Sequence, residues 1–204
     1  GMIVKNEEQK LEKCLKALQP LRDAVACELV IADTGSTDGT RAIAEQYADL
    51  VFDFPWINDF SAARNAVMDK CTGLWYLSVD ADEYLDADVS ELVSFFSSDD
   101  QNKTDAGYIK IRNYNTVEML PGDCNEFFVC RMVRIKSGIR YSGTIHESLQ
   151  VTKGKVTRFF PTTILHHDGY AWKDAQDALA KMQRNLSLLE KALEQHPKNA
   201  RIMM

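Results

Sequence analysis

Between residues 2 and 79 the chain alternates short apolar runs with amphipathic stretches, and this alternation restricts the fold more than any other feature. Met2-Ile3-Val4 predicts a first strand. A helix is predicted after it, with Asn6 as its cap and with Glu7 and Glu8 in the first turn, where the helix dipole favours negative charge. Leu11, Leu15 and Leu18 give that helix an apolar face, and Pro20 is expected to end it. The same reading predicts strands at 28–32, 50–54 and 74–79, and helices at 40–47 and 61–71. Strands and helices alternating at this spacing build right-handed βαβ units and a mainly parallel sheet flanked by helices. The expected fold class is therefore α/β.

Beyond residue 79 the pattern changes. A short helix is predicted at 89–96, followed by strand-like pieces at 107–112, 127–135 and 156–165. Gly122, Gly138, Gly143 and Gly154 punctuate them, which points to antiparallel strands and loops and so to a mixed sheet. A long amphipathic helix is predicted at 172–195, with Ala175, Ala178, Leu179, Met182, Leu186, Leu189 and Leu193 on one face and Pro197 as its stop. Residues 2–170 are thus expected to form one α/β domain and 171–204 a helical extension. Gly1, ahead of Met2, reads as an added residue and carries none of the argument.

Composition narrows the function classes. With 204 residues, 45% of them hydrophobic, the chain can bury one proper core. A net charge of −6 argues against nucleic acid as a partner, because a phosphate-binding face normally carries a basic excess. No apolar run approaches the roughly 20 residues that a membrane-spanning helix needs, and no signal peptide is evident. The five cysteines form no Cys-x-x-Cys pair, which favours reduced thiols in a cytoplasmic protein over a disulfide frame or a zinc site. Neither a Gly-x-Gly-x-x-Gly turn nor a Walker-type loop occurs.

The chemistry concentrates at Asp80-Ala81-Asp82-Glu83, directly after the predicted fourth strand. In an extended segment, residues two apart point to the same side, so both aspartates would aim at one point past the strand's carboxyl end. Open α/β sheets bind their ligands there. Two hard anionic oxygen donors at such a point suit Mn²⁺ or Mg²⁺ carrying a diphosphate, and a bound cation would relieve the repulsion between them.

Four ordered motifs extend this reading. Met2-Ile3-Val4-Lys5-Asn6-Glu7-Glu8, Ile31-Ala32-Asp33-Thr34-Gly35-Ser36-Thr37-Asp38, Asp59-Phe60-Ser61-Ala62-Ala63-Arg64-Asn65 and Asp80-Ala81-Asp82-Glu83 together resemble the family 2 glycosyltransferases of the GT-A fold. The likeness continues into Gly143-Thr144-Ile145-His146-Glu147 and His166-His167-Asp168-Gly169-Tyr170, and is closest to a bacterial branch often followed by tetratricopeptide repeats. Relatives usually carry a few more strand residues before Met2, and the end of the chain resembles entry into a helical repeat.

The resemblance implies a metal-dependent, inverting transfer of a hexosyl or N-acetylhexosaminyl group from a nucleotide-diphosphate sugar, uridine-linked, to a carbohydrate, lipid-linked or protein acceptor. A place in the cytoplasm, peripheral to the inner membrane face, would suit such substrates. Asp33 would read the nucleotide base as an acceptor-only carboxylate, with Lys5 and Asn6 beside the nucleoside. Arg64 would contact the diphosphate or lock the acidic loop. Asp82 would bind the metal directly, Asp80 the ribose or the metal through water, and His167, in preference to His166, would add a late metal ligand. Glu147 is the candidate base, Asp168 a second candidate, and His146 would orient Glu147 or touch the diphosphate. Trp56, Tyr170 and Trp172 are candidates for stacking on a sugar, with core packing as the alternative.

Three other readings of the same residues stand beside this one. Asp33-Thr34-Gly35-Ser36 matches the aspartic-protease tetrad, but no second copy and no all-β frame accompany it. Asp80-Ala81-Asp82 fits a haloacid-dehalogenase-like phosphohydrolase, although Tyr84 and the position after a fourth strand depart from that pattern. A degenerate sugar-nucleotide scaffold is the non-catalytic alternative.

Overall fold

A computed structural model of the chain describes residues 1–115, 119, 122–150, 157–168 and 175–195. The first half follows the alternation. Strand β1 (Met2–Val4), helix α1 (Leu11–Ala24), β2 (Val30–Asp33), α2 (Thr40–Tyr47), β3 (Leu50–Asp53) and α3 (Phe60–Lys70) come in that order. The three strands form a parallel sheet with β2 in the middle, Ile31 opposite Met2 and Val51. β2 is buried along its whole length, which is why its Val-Ile-Ala run shows no polar alternation.

Two expectations for α1 fail. Pro20 lies inside the helix rather than at its end, and Leu21 beyond it is buried with Leu18. The burial of those leucines offsets the hydrogen bond that Pro20 cannot donate. Asn6 does not cap α1: the helix starts at Leu11, and Asn6 stands earlier in a left-handed conformation with φ 55°.

The second half is a mixed sheet. It contains β4 (Trp75–Leu77), β5 (Glu83–Leu85), β6 (Ala106–Tyr114), β7 (Cys124–Arg134), β10 (Arg158–Phe159) and β11 (Ile164–His167). The strand order is β4-β7-β6-β11-β5, with β10 also paired to β6. Between these strands lie α4 (Ser90–Ser97), α5 (Asp100–Lys103) and a small hairpin of β8 (Arg140–Ser142) and β9 (Ser148–Gln150). β5, β8, β9 and α5 are too short to register as periodic patterns. The strand predicted at 156–165 is split into β10 and β11 around Pro161, and residues 151–156 lie outside the described set.

Gly1 lies against the end of β4 and the chain that follows it. Its amino group donates to Leu77 O at 2.7 Å and its carbonyl accepts from Val79 N–H at 3.2 Å. That alternating pair is the hydrogen-bond pattern of parallel strands, so it joins β1 to the line of β4 and makes the two sheets continuous. Helix α1 packs against β5 and α4, burying Leu11, Cys14 and Leu15 with Leu85, Leu92 and Ile109 in the main core. A smaller cluster forms where Leu188 and Ala192 of α6 (Ala175–Gln195) meet Ile145, with Trp56 and Phe60 packed against them. Trp56 is therefore a packing residue, while Tyr170 and Trp172 lie outside the described residues. Among the described residues no helix is long and apolar enough to cross a membrane, and all five cysteines are free thiols.

Candidate active site

The carboxyl ends of β1 and β2 carry two loops that bind each other. Asn6 N–H donates to Ser36 Oγ at 3.1 Å and Asn6 Oδ1 accepts from Thr37 N–H at 2.8 Å. Glu7 N–H bonds Thr40 Oγ1 at 2.6 Å, and Gly39 N–H bonds the Glu8 carboxylate. Asn tolerates the left-handed region, and its short amide then reaches the opposing backbone. Asp33 is buried with its Oδ1 accepting from Gly35 N–H at 3.0 Å and Ser36 N–H at 2.8 Å. The Asp33 carboxylate thus shapes the turn after β2. Asp38 precedes the N-cap of α2, which is Gly39, and accepts from Thr40 N–H at 3.0 Å. Lys5 is exposed at the rim.

Helix α3 is docked residue by residue. Asp59 caps it by accepting from Ala62 N–H at 2.9 Å. Phe60 N–H bonds Thr144 O at 3.0 Å and Ser61 Oγ donates to Gly143 O at 2.6 Å. Asn65 both donates to and accepts from the Tyr141 backbone at 3.0 Å. Gly143 has φ 106°, and a Cβ there would stand 3.3 Å from Ile145 O, so the turn that meets α3 requires glycine. The Asp59–Asn65 motif is thus the docking code between α3 and the 141–147 segment.

That docking brings Arg64 to Glu147. Arg64 is buried and its guanidinium spreads over three partners: Nε to Glu147 Oε1 at 2.6 Å, Nη1 to Ser78 Oγ at 3.1 Å and Nη2 to Asp80 Oδ1 at 2.8 Å. Of its two expected roles, these contacts fit the locking of the acidic loop. His146 beside Glu147 is exposed with φ 51°.

The acidic segment is a turn, not an extended strand end. Glu83 N–H returns to Asp80 O at 3.0 Å and Asp80 N–H bonds Glu83 Oε2 at 2.9 Å. The two aspartates therefore do not converge by strand alternation. The oxygens of Asp80 face Arg64 and, at 3.2 Å, Arg131 Nη2, and Arg131 also pairs with Glu83 Oε1. Burial works against charge on Asp80, but the Arg64 and Arg131 guanidiniums overcome it and hold the carboxyl well below the usual range. Glu83 is 1% exposed, and burial, against the pull of Arg131, pushes its carboxyl up to about 7. Arg131 was not singled out from the sequence; its one available signal is a basic residue inside the apolar run of β7.

Asp82 faces the other way, toward β11. Sheet register explains the meeting: His167 lies opposite Glu83 of β5 on one side and Asn113 of β6 on the other. His167 Nε2 stands 3.4 Å from Asp82 Oδ2, and Nδ1 donates to Asn113 Oδ1 at 2.6 Å. Burial lowers the affinity of His167 for a proton, yet Asp82 outweighs it and raises the group above its ordinary value. His166, on the opposite face of β11, pairs with Tyr114 OH at 2.8 Å and Asp86 at 3.2 Å, which leaves it in a structural role. The carboxylate of Asp168 is engaged by Lys10 Nζ at 2.8 Å and Tyr84 OH at 2.9 Å.

These donors fit a divalent cation on chemical grounds. An imidazole whose Nδ1–H is oriented by an amide oxygen presents Nε2 to an electrophile, and a carboxylate oxygen lies beside it. Among the described residues no group of three or more His, Cys, Asp or Glu is arranged to hold a metal. Two protein donors suit Mg²⁺ or Mn²⁺, which keep waters and take substrate phosphates as further ligands.

Comparison with known proteins places the fold and the family. The chain is 29% identical over 208 residues to the TPR repeat-containing protein Synpcc7942_0270 of Synechococcus elongatus, covering 98% of this chain and 48% of the relative. It is 27% identical over 209 residues to the SPbeta prophage-derived glycosyltransferase SunS of Bacillus subtilis, covering 98% of this chain and 46% of the relative. The chain thus spans about half the length of these curated relatives. Among solved structures, the mannosyltransferase PcManGT of Pyrobaculum calidifontis, in complex with GDP-Man and Mn²⁺, superposes with a TM-score of 0.60 at 14% identity. That superposition covers 95% of this chain and 63% of the other, and shows that the fold is GT-A. The model of Glycosyl transferase family 2 matches residues 1–160, and the chain belongs to that family.

Proposed function

We propose that this chain is the catalytic unit of a divalent-metal-dependent, inverting glycosyltransferase that uses a nucleotide-diphosphate sugar, uridine-linked, as donor. The observation that carries the reading is the approach of Asp82 Oδ2 and His167 Nε2 to 3.4 Å. A bound Mn²⁺ or Mg²⁺ would supply positive charge where the departing diphosphate develops negative charge. Asp82 and His167 would hold it. Asp80, committed to Arg64 and Arg131, would act through the loop's shape or reach the metal only through water. Asp33, Lys5 and Asn6 would border the nucleoside.

In the transfer step the acceptor oxygen attacks the anomeric carbon and its proton passes to Glu147. The carbon–oxygen bond to the diphosphate breaks, and the diphosphate keeps the electron pair. Their contacts favour Glu147 over Asp168 as base. Arg64 orients Glu147 through a single oxygen, Oε1, whereas the Asp168 carboxylate is committed to Lys10 and Tyr84. The acceptor is a carbohydrate, lipid-linked or protein hydroxyl, and a cytoplasmic site of action suits the donor. The phosphohydrolase reading is not favoured, because the family match covers residues 1–160.

Incubation with UDP-, GDP- and dTDP-sugars, with Mn²⁺ or with chelator, tests the reading. Release of UDP from a UDP-sugar, dependent on Mn²⁺ and on Glu147, is expected, with inverted configuration in any product resolved by NMR. Metal-independent release of phosphate from simple phosphoesters would contradict it.

A further inference from the structure

We infer that Arg131 is a positioning residue that holds Asp82 in place for the cation by clamping the acidic turn at both of its ends. The inference rests on the metal-dependent donor binding proposed above. Arg131 belongs to β7, and its carbonyl accepts Ser78 N–H at 2.8 Å, which ties that strand to the chain just before the turn. From there the guanidinium reaches across: Nη2 donates to Asp80 Oδ2 at 3.2 Å and to Glu83 Oε1. Asp80 and Glu83 are the first and last residues of the turn that contains Asp82, and they also bond each other through their backbone amides. Arg64 secures Asp80 through Oδ1, so it is Arg131 that spans both ends.

A second observation separates positioning from simple charge balance. Arg131 Nε is buried without a hydrogen-bond partner among the described residues. An unsatisfied buried donor costs stability, so this side chain is a poor choice for a residue whose sole task is to hold the fold together. Its geometry makes sense as a brace, with one nitrogen shared between two carboxylates on either side of the candidate ligand.

The two roles come apart in the double variant Arg131→Met/Glu83→Gln. That variant removes the buried Glu83 charge together with its partner, while Asp80 keeps Arg64. If Arg131 positions Asp82, the double variant melts close to the wild type, yet calorimetry finds its Mn²⁺-dependent affinity for UDP at least about tenfold weaker, the scale expected for loss of a ligand's supporting contact. Its UDP affinity in chelator stays unchanged. Arg131→Met alone loses affinity equally and melts lower. A folded double variant whose Mn²⁺-dependent affinity lies within about threefold of wild type overturns the inference. So does a double variant that fails to fold, because the stabilising part of Arg131 is assigned to the Glu83 charge alone. The wild-type titration separates the two levels. If the wild type lacks Mn²⁺-dependent UDP affinity, the donor reading falls and this inference falls with it; if the affinity is present, the variants judge Arg131 alone.

Discussion

The interlocked loops after β1 and β2 and the acidic turn after β4 lie along one edge of the continuous sheet, yet different forces hold them. The loops are joined by largely exposed single hydrogen bonds, most of them neutral, in which Asn6 pairs with Ser36 and Thr37 and the Glu8 carboxylate accepts Gly39 N–H. The turn is held by buried charge: Arg64 and Arg131 face Asp80, Glu83 and Glu147. Each neutral bond contributes about 1 kcal/mol and fails alone. A buried charge cluster behaves as a unit, because removing one member strands the others. The loops can therefore drift in sequence one contact at a time, whereas the turn tolerates only compensated changes.

The largest test of that contrast is Arg64→Met. It leaves Asp80 with one partner and Glu147 with none of its Arg64 contact, and about 3–5 kcal/mol of stability should be lost in a urea titration. A loss below about 1 kcal/mol would place the cluster on the same footing as surface pairs. Gly143→Ala comes next. It forces an L side chain to φ 106° against Ile145 O, costing about 1–3 kcal/mol and loosening the seat of α3. Glu147 would lose its register with Arg64, so a Gly143→Ala protein with wild-type transfer activity would sink the docking role assigned to that turn.

These two positions also mark how much the sequence disclosed. The βαβ half was readable because its buried strands and amphipathic helices recur at the periods the backbone dictates, and the 40–47 helix was placed to the residue. The mixed half was not, since β5, β8 and β9 are each 3 residues long and owe their existence to partners far along the chain. The pairing of His167 with Asp82 follows from β11 lying between β5 and β6, which no local pattern encodes. Reading Asp80-Ala81-Asp82 as extended backbone missed its shape, because the segment folds back on itself through Glu83. Arg131 escaped notice for a related cause: one charged residue in an apolar run carries no motif until its strand is placed beside the turn.

Smaller effects sharpen the neutral side of the comparison. Asn6→Ala removes the acceptor for Thr37 N–H and puts alanine at φ 55°, for a cost of about 1–2 kcal/mol in the same titration. A cost equal to that of Arg64→Met would erase the distinction between the two regions. The smallest effect is one of pH at Asp38. Slight burial opposes its charge, but hydrogen bonds from Thr40 and Glu8 prevail and hold the carboxyl below its ordinary value. A depressed carboxyl stabilises the fold above its unfolded value near 3.8, and that contribution is lost as pH falls through the lower folded value. Hydrogen exchange at the Thr40 and Glu8 amides should accelerate relative to neighbouring amides below that pH, and Asp38→Asn should abolish the pH dependence. Equal acceleration in both proteins would rule out Asp38 as its source.

The central claim, that Asp82 and His167 together hold the cation that secures a sugar donor's diphosphate, is tested most directly by calorimetric titration of UDP into wild-type and Asp82→Ala protein, each with Mn²⁺ and with chelator. The wild type should bind UDP at least about tenfold more tightly with Mn²⁺, and Asp82→Ala should lose that gain with its melting temperature little changed. An undiminished Mn²⁺-dependent gain in Asp82→Ala would contradict the account.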